Sequence, residues 1–233
     1  MSDKPTVLGL QETKIQGEQL TEELTQIDGY SSYWSHSQTK KGYSGVAIYT
    51  QTTPESVSEG MGVPEFDLEG RVLKADYGDF IFYTVYFPNG QMNEDRLKYK
   101  LGFYDAFLEA INKEVANGRQ VVVCGDVNTA HQPIDLARPK ENEKVSGFLP
   151  IERQWIDKLL EQGYIDTFRH LHPEEADQYS WWNMRTRARE RNVGWRIDYF
   201  FISPGLLPHL KSADIHPDVM GSDHCPVSIE LAF

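Results

Sequence analysis

Residues 120–128 read QVVVCGDVN, and the fold can be built outward from them. Val121 to Cys124 run apolar without alternation, the mark of a strand with both faces covered. Such a strand needs layers above and below it. The Gly125-Asp126-Val127-Asn128 turn that follows places a carboxylate and an amide just past the strand end. Further runs rich in Val, Ile, Phe and Tyr, bordered by Gly, Pro or Asp, predict strands at Thr6 to Leu10, Gly45 to Thr50, Arg71 to Asp76, Phe80 to Phe87, Trp195 to Ile202 and Val227 to Leu231. Tyr77-Gly78-Asp79 suits a hairpin turn between two of them. Leu97, Leu101, Tyr104, Phe107, Leu108 and Ile111 recur at helical spacing, so the longest helix opens at Asn93 and stops at Asn117-Gly118. A second helix runs from Pro150, at its first turn, to Glu161 before Gly163. Strands interleaved with helices imply an α/β layered sandwich.

The chain has 233 residues, 39% hydrophobic and 25% charged, a globular balance long enough for a substantial core. No internal repeat or low-complexity linker interrupts it, so one continuous domain over residues 1–233 is expected. No apolar run approaches the roughly 18 residues of a membrane span. Met-Ser-Asp-Lys-Pro does not read as a secretory signal. Cys124 and Cys225, the two cysteines, fit a reducing, cytoplasmic setting. A net charge of −12 argues against a non-specific nucleic-acid coat. Yet RTRARERNVGWR, residues 185–196, carries five arginines against one glutamate, which suggests an anionic partner meeting one face. A solvated arginine loop is the plainer alternative.

Acidic and amide side chains sit just past the strand ends: Gln11-Glu12, Asp126 with Asn128, and Asp223-His224 before the last strand. Strand ends on one edge of a layered sheet converge on a crevice. Carboxylates and an amide gathered there suit a hard cation such as Mg²⁺, leaving His224 for phosphate or proton work. Zinc does not fit, because Cys and His are not clustered at ligand spacing. Each piece alone has a structural explanation. Glu12 reads as a helix-start residue, Asp126 and Asn128 as an Asx turn, and GSDHCP as a polar turn with one satisfied histidine. Their co-occurrence favours chemistry.

The strings QETK (11–14), KGYSGVAIY (41–49), VYFPNG (85–90), GDVNTAH (125–131), NVGWRIDYFF (192–201) and GSDHCP (221–226) stand in an order that resembles the exonuclease III family of apurinic/apyrimidinic (AP) endonucleases. The resemblance spans nearly the whole chain. It implies a DNase I-like four-layer α/β/β/α sandwich and a Mg²⁺- or Mn²⁺-dependent phosphodiesterase that cuts double-stranded DNA 5′ to abasic sites, with 3′→5′ exonuclease or 3′-phosphodiesterase activity. By the same resemblance Glu12 is a metal ligand and Asp223 lies near the metal or its waters. Asp126 positions or deprotonates the attacking water, Asn128 is its amide partner on the phosphate, and His224 faces the phosphate, oriented by Asp198. Tyr86 stands beside the scissile phosphate with Asn89 on the same loop. Trp181, Trp195 and Ile197 wall the pocket for a flipped-out abasic sugar, which a normal nucleotide is too large to enter. Trp182 is assigned to core packing more readily than Trp195. Arg185, Arg187, Arg189 and Arg191 contact backbone phosphates, supported by Lys40, Lys41 and Tyr43.

The departure from the family pattern is at the start. Family members place a strand carrying Trp-Asn-Val-Asn/Asp-Gly and a helix before the equivalent of Lys4, whereas here Met1 to Asp3 precede it. The expectations are an absent first strand and helix, a missing supporting asparagine, an edge open to pairing with another chain, and weakened but metal-dependent incision by a monomer. A non-catalytic binder of damaged DNA is the competing reading. A small-molecule phosphodiesterase is a third, disfavoured by Arg185 to Arg191. The setting expected is the cytoplasm, at the nucleoid.

Overall fold

A computed structural model describes residues 4–233, so the expectation about a segment ahead of Lys4 lies outside the described residues. The chain resolves into two compact units, residues 1–86 with 109–125, and residues 87–108 with 126–233.

In the first unit, β1 (Val7–Gln11), β2 (Ser31–Ser35) and β3 (Val46–Thr50) form an antiparallel sheet in the order β1-β3-β2. Every residue of central β3 is buried, while β1, at an edge, is only partly so. A second sheet of this unit runs β4 (Ser56–Glu59), β5 (Val72–Asp76), β6 (Ile81–Tyr86), β7 (Val121–Asp126). The expected hairpin joins β5 to β6, with Asp76 opposite Ile81 and the Tyr77 amide donating to the Phe80 carbonyl at 3.0 Å. Strands β6 and β7 are buried throughout, as the unbroken apolar run of β7 requires. Gly125 follows from the same packing: a Cβ there would lie 2.2 Å from the Val85 carbonyl oxygen, so no side chain fits.

The second unit is built on an aromatic cluster. Phe87 meets Phe103, Tyr104, Phe107 and Trp155 at ring-centroid distances of 5.1 to 5.5 Å, and Tyr104 stacks on Trp155 at 4.3 Å. Pairs of this kind each contribute about 0.5–1.5 kcal/mol beyond their buried area. Phe103, Tyr104 and Phe107 lie on the helix Glu94–Ala116, capped by Asn93, whose Oδ1 accepts from the Arg96 amide, and followed by Gly118 at φ +81°. Trp155 comes from the helix Pro150–Glu161. Short antiparallel pairs complete the unit: β8 (Ile165–Asp166) with β11 (Asp198–Ile202), β9 (Trp181–Trp182) with β10 (Gly194–Trp195), and β12 (Leu210–Ile215) with β13 (Val227–Leu231).

The expected strand from Trp195 to Ile202 is broken in two, between β10 and β11. The cause is Arg196. Its guanidinium is 1% exposed and bonds Asp135 and Asp166 at 2.7 to 3.2 Å, while the Ile197 and Asp198 amides donate to the Ser180 hydroxyl in place of a strand partner. Strands β2, β4 and β12 were not expected: SVSE and LKSADI carry few β-branched or aromatic residues, and in SSYWS the pair Tyr33-Trp34 is flanked by serines. Among the described residues no helix is long and apolar enough to cross a membrane.

Candidate active site

From Asp126, the last residue of β7 and part of the second unit, the chain turns sharply. Asn128 sits in the left-handed region at φ +55°, tolerable for asparagine, and this folds its amide back on Asp126. The Asn128 backbone N–H donates to Asp126 Oδ1 at 2.8 Å and its Nδ2 to Asp126 Oδ2 at 3.1 Å. The Asx turn is therefore real, and it presents a carboxylate and an amide as one unit. Asn89 joins them, donating to Asn128 Oδ1 at 3.1 Å.

Beneath this turn lies a buried ion pair. Lys100 Nζ donates to the Asn128 carbonyl, the Thr129 hydroxyl and Glu152 Oε1 at 2.8, 2.9 and 2.7 Å, and both charged side chains are fully buried. Glu152 also accepts from the Gly147 and Leu149 amides. Tyr104 adds a hydrogen bond to the Val127 carbonyl at 3.0 Å. Neither Lys100 nor Glu152 was a sequence candidate. The available signal was Lys100 itself, a charge on the apolar stripe between Leu97 and Tyr104.

His224 meets two of the expected carboxylates. Its Nδ1 lies 2.9 Å from Asp198 Oδ2, and its Nε2 lies 4.0 Å from Asp126 Oδ2. Burial lowers the imidazole pKa, but Asp198, then Asp126 and Asp223, outweigh it and raise it to about 10. The ring is an imidazolium at neutral pH. Asp126, Asp198 and His224 offer ligand atoms within 4.8 Å of one another, so the cluster could hold a metal ion. The two carboxylates of this set suit a hard ion, which prefers oxygen ligands. Asp223 Oδ2 accepts from Trp181 Nε1 at 3.1 Å, and its Oδ1 accepts from the Ser222 hydroxyl at 3.4 Å.

An apolar wall adjoins these groups. Trp181 bridges to His224 across an isolated β-bridge, and Trp195 stands edge-on to both Trp181 and Phe148 at 6.4 Å. The two tryptophans, partly exposed, pack on Ala130, Leu136, Phe148 and Ile197. Trp182 is instead a core residue beside Tyr179, Ala188 and Cys225. Ser180, absent from the sequence candidates, holds the Ile197 and Asp198 amides from below.

Arg185 and Arg191 are exposed on two short 3₁₀ turns, and Arg187 is exposed at the left-handed position between them. Arg189 is turned inward: its guanidinium donates to the Ser222, Pro217 and Val219 carbonyls at 3.1, 2.6 and 2.7 Å.

Glu12, Lys40, Lys41, Tyr43 and Tyr86 belong to the first unit. Glu12 does not start a helix: it has φ +54°, directly after β1, and pairs with Lys14 at 3.1 Å. Lys41 pairs with Glu18 on the surface. Tyr43 and Tyr86 are organised by Arg71, which the sequence reading missed. Arg71, 2% exposed, donates to the Tyr43 hydroxyl and the Tyr86 carbonyl at 2.9 Å, and its guanidinium lies 5.4 and 4.8 Å from their ring centres.

Comparison with known proteins gives these groups a context. The endonuclease/exonuclease/phosphatase family matches residues 2–224. An exodeoxyribonuclease of Bacillus subtilis (strain 168) is 44% identical over 223 residues, 96% of this chain and 86% of that protein. The DNA repair nuclease APEX1 of Danio rerio is 43% identical over 231 residues, 99% of this chain and 74% of that protein. Among solved structures, an AP endonuclease from Archaeoglobus fulgidus superimposes with a TM-score of 0.87 at 30% identity, covering 98% of this chain and 90% of that one. The layered α/β fold is thus shared, and the chain belongs to the endonuclease/exonuclease/phosphatase family.

Proposed function

We propose that the chain is a DNA-repair nuclease that hydrolyses the phosphodiester bond 5′ to an abasic site in double-stranded DNA, with 3′-end exonuclease or phosphodiesterase activity on the same site. The observation that carries this reading is the meeting of Asp126, Asp198 and His224 beside the wall of Trp181, Trp195 and Ile197. The relatives are named as an exodeoxyribonuclease and a DNA repair nuclease, which supports it.

Asp126, steadied by Asn128, orients the attacking water and accepts its proton. His224, kept charged by Asp198, donates toward a phosphate oxygen where negative charge grows in the transition state. The tryptophan wall receives a sugar that lacks its base. Mg²⁺, or Mn²⁺ in its place, is assigned by motif to Glu12 and Asp223 and would supply charge neutralisation at the phosphate when bound. Asn89 and Tyr86 are assigned to the scissile phosphate. Arg185, Arg187 and Arg191, with Lys40, Lys41 and Tyr43, are assigned to the flanking phosphates, which reconciles a chain of net charge −12 with a polyanionic partner. One family match over residues 2–224 supports treating the chain as a single endonuclease domain. It acts inside the cell as a monomer.

The test is incision of an abasic-site duplex with Mg²⁺. Cleavage on the 5′ side that EDTA abolishes and Asp126→Asn removes is expected. Salt-sensitive binding without turnover would replace this reading with a non-catalytic binder of damaged DNA.

A further inference from the structure

The loop that delivers Asp223 and His224 has few bonds of its own, the Val219 amide to the His216 carbonyl and the His224 amide to the Ser222 hydroxyl, both at 3.1 Å. Residues 217–222, PDVMGS, form no regular element and are largely exposed, with Met220 73% accessible and Gly221 at φ +119°. Its far end is fixed to the tryptophan strand: the Trp182 amide donates to the Asp223 carbonyl at 3.0 Å, and Trp181 Nε1 reaches the Asp223 carboxylate. Its carbonyls converge on one guanidinium. Arg189 donates to three carbonyls of this loop, Pro217, Val219 and Ser222, and lies 4.6 Å above the Trp182 ring. The stack on Trp182 closes a circuit, since Trp182 is also the residue bonded to Asp223. Both ends of the loop are therefore referred to the same residue, one through the Trp182 ring and the other through its main-chain amide. Arg189 Nε is buried without a hydrogen-bond partner, so the group is held by the loop carbonyls and the ring rather than by a carboxylate.

We propose that Arg189 is a positioning residue that sets the placement of Asp223 and His224, and does not contact DNA phosphate. The proposal rests on the nuclease reading above. It separates Arg189 from its exposed neighbours Arg185, Arg187 and Arg191, with which it is indistinguishable in the sequence. A planar fork reaches three acceptors that diverge from one point and stacks on an indole at the same time, whereas an ammonium makes a compact point charge. Loss of the fork frees the loop, and a displacement of about 1 Å in a catalytic group can cost roughly 100-fold in rate.

The experiment compares Arg189→Gln, Arg189→Lys, Arg185→Gln and Arg187→Gln on an abasic duplex with Mg²⁺, reading kcat, KM and the slope of log(kcat/KM) against log[salt]. The expected result for Arg189→Gln is a kcat lowered roughly 10- to 100-fold with KM and salt slope unchanged, and partial recovery in Arg189→Lys. Arg185→Gln and Arg187→Gln should raise KM and flatten the slope by about one each. A second measurement needs no turnover. Amide hydrogen exchange across residues 217–224 should speed up in Arg189→Gln and stay unchanged in Arg185→Gln. If Arg189→Gln does not fold, Arg189→Lys is read by the same two measures. A raised KM and flattened slope at constant kcat would make Arg189 a phosphate contact and overturn the proposal, as would unchanged exchange. Absence of incision by the parent chain overturns the nuclease reading instead, and the exchange comparison still decides the role of Arg189.

Discussion

The two loops to which the proposed chemistry is assigned in the second unit are held in opposite ways. The Asp126–Asn128 turn rests on a buried floor, in which Lys100 and Glu152 sit fully out of water and Lys100 bonds the Asn128 carbonyl. The Asp223–His224 loop hangs from a partly exposed clamp, Arg189 on Trp182. A buried charge pair is demanding, because removing either partner strands the other in a medium that cannot solvate it. A partly exposed clamp is more tolerant, because water can reach and replace some of its bonds. The floor is thus tied to the stability of the whole unit, whereas the clamp is tied to the geometry of one loop. Damage to the first should show in melting and rate together, and damage to the second in rate alone.

The comparison breaks most visibly at the carboxylate itself. Asp126→Asn should lower kcat by roughly 10²–10⁴, the range for losing a positioned base, with little change in melting temperature. His224→Asn should fall in the same range. If either retained parental turnover, the cluster of Asp126, Asp198 and His224 would not be where the reaction occurs. Lys100→Met is the next largest effect and acts mainly on stability, costing about 3–5 kcal/mol by leaving Glu152 charged and unpaired. Adding Glu152→Gln should return much of that stability, since the amide oxygen can still accept from the Gly147 and Leu149 amides. It should not return the rate, because the Asn128 carbonyl has still lost its donor. Chemical denaturation alongside steady-state kinetics reads both, and joint recovery would show that the floor has no positioning role.

Much of this site was legible because its residues are polar where the chain should be apolar or turning. Asp126 and Asn128 follow an unbroken apolar strand, and Asp198 stands inside NVGWRIDYFF. The wall was legible through aromatic residues in the same motif. What holds these groups was harder to read. Lys100 and Glu152 are 52 positions apart and identify each other only after two helices pack. Arg189 looks like any member of an arginine-rich loop until its carbonyl partners, 28 to 33 residues away, are known. Arg196 was hidden because the apolar and aromatic residues around it suggested an uninterrupted strand, and its two aspartates lie far off in the chain. Chemistry clusters in motifs, whereas support is assembled by tertiary contact.

The histidine loop makes a smaller prediction through pH. The imidazole is raised from 6.5 to about 10 in the folded chain, so its pairing with Asp198 contributes stability that is fully present below about pH 6.5. That contribution fades as the pH rises through about 10. In EDTA-treated protein, imidazole ¹⁵N shifts should report His224 doubly protonated at pH 8. Asp198→Asn removes the main partner while burial persists, so the ring should then lose its proton at a much lower pH. An Asp198→Asn titration matching the parent would locate the stabilising charge elsewhere.

The smallest effect should come from Gly147, which adjoins the floor and the tryptophan wall at once. Its amide donates to Glu152 Oε2 at 2.6 Å, its carbonyl accepts from the Ala130 amide at 2.9 Å, and it sits at φ +101°. A Cβ there would lie 3.1 Å from the Trp195 ring and 3.3 Å from the Asn128 carbonyl oxygen. Gly147→Ala therefore combines a backbone conformation unfavourable to alanine with a modest push on Trp195, for about 1–3 kcal/mol. The push acts on the wall, because the Asn128 carbonyl is held by Lys100 while Trp195 is only partly buried. KM for an abasic duplex should rise while kcat stays close to parental, since the sugar pocket changes shape and Asp126 does not move. A fall in kcat at constant KM would mean that the Asn128 turn yields before the wall does, and the floor would then be the softer of the two supports.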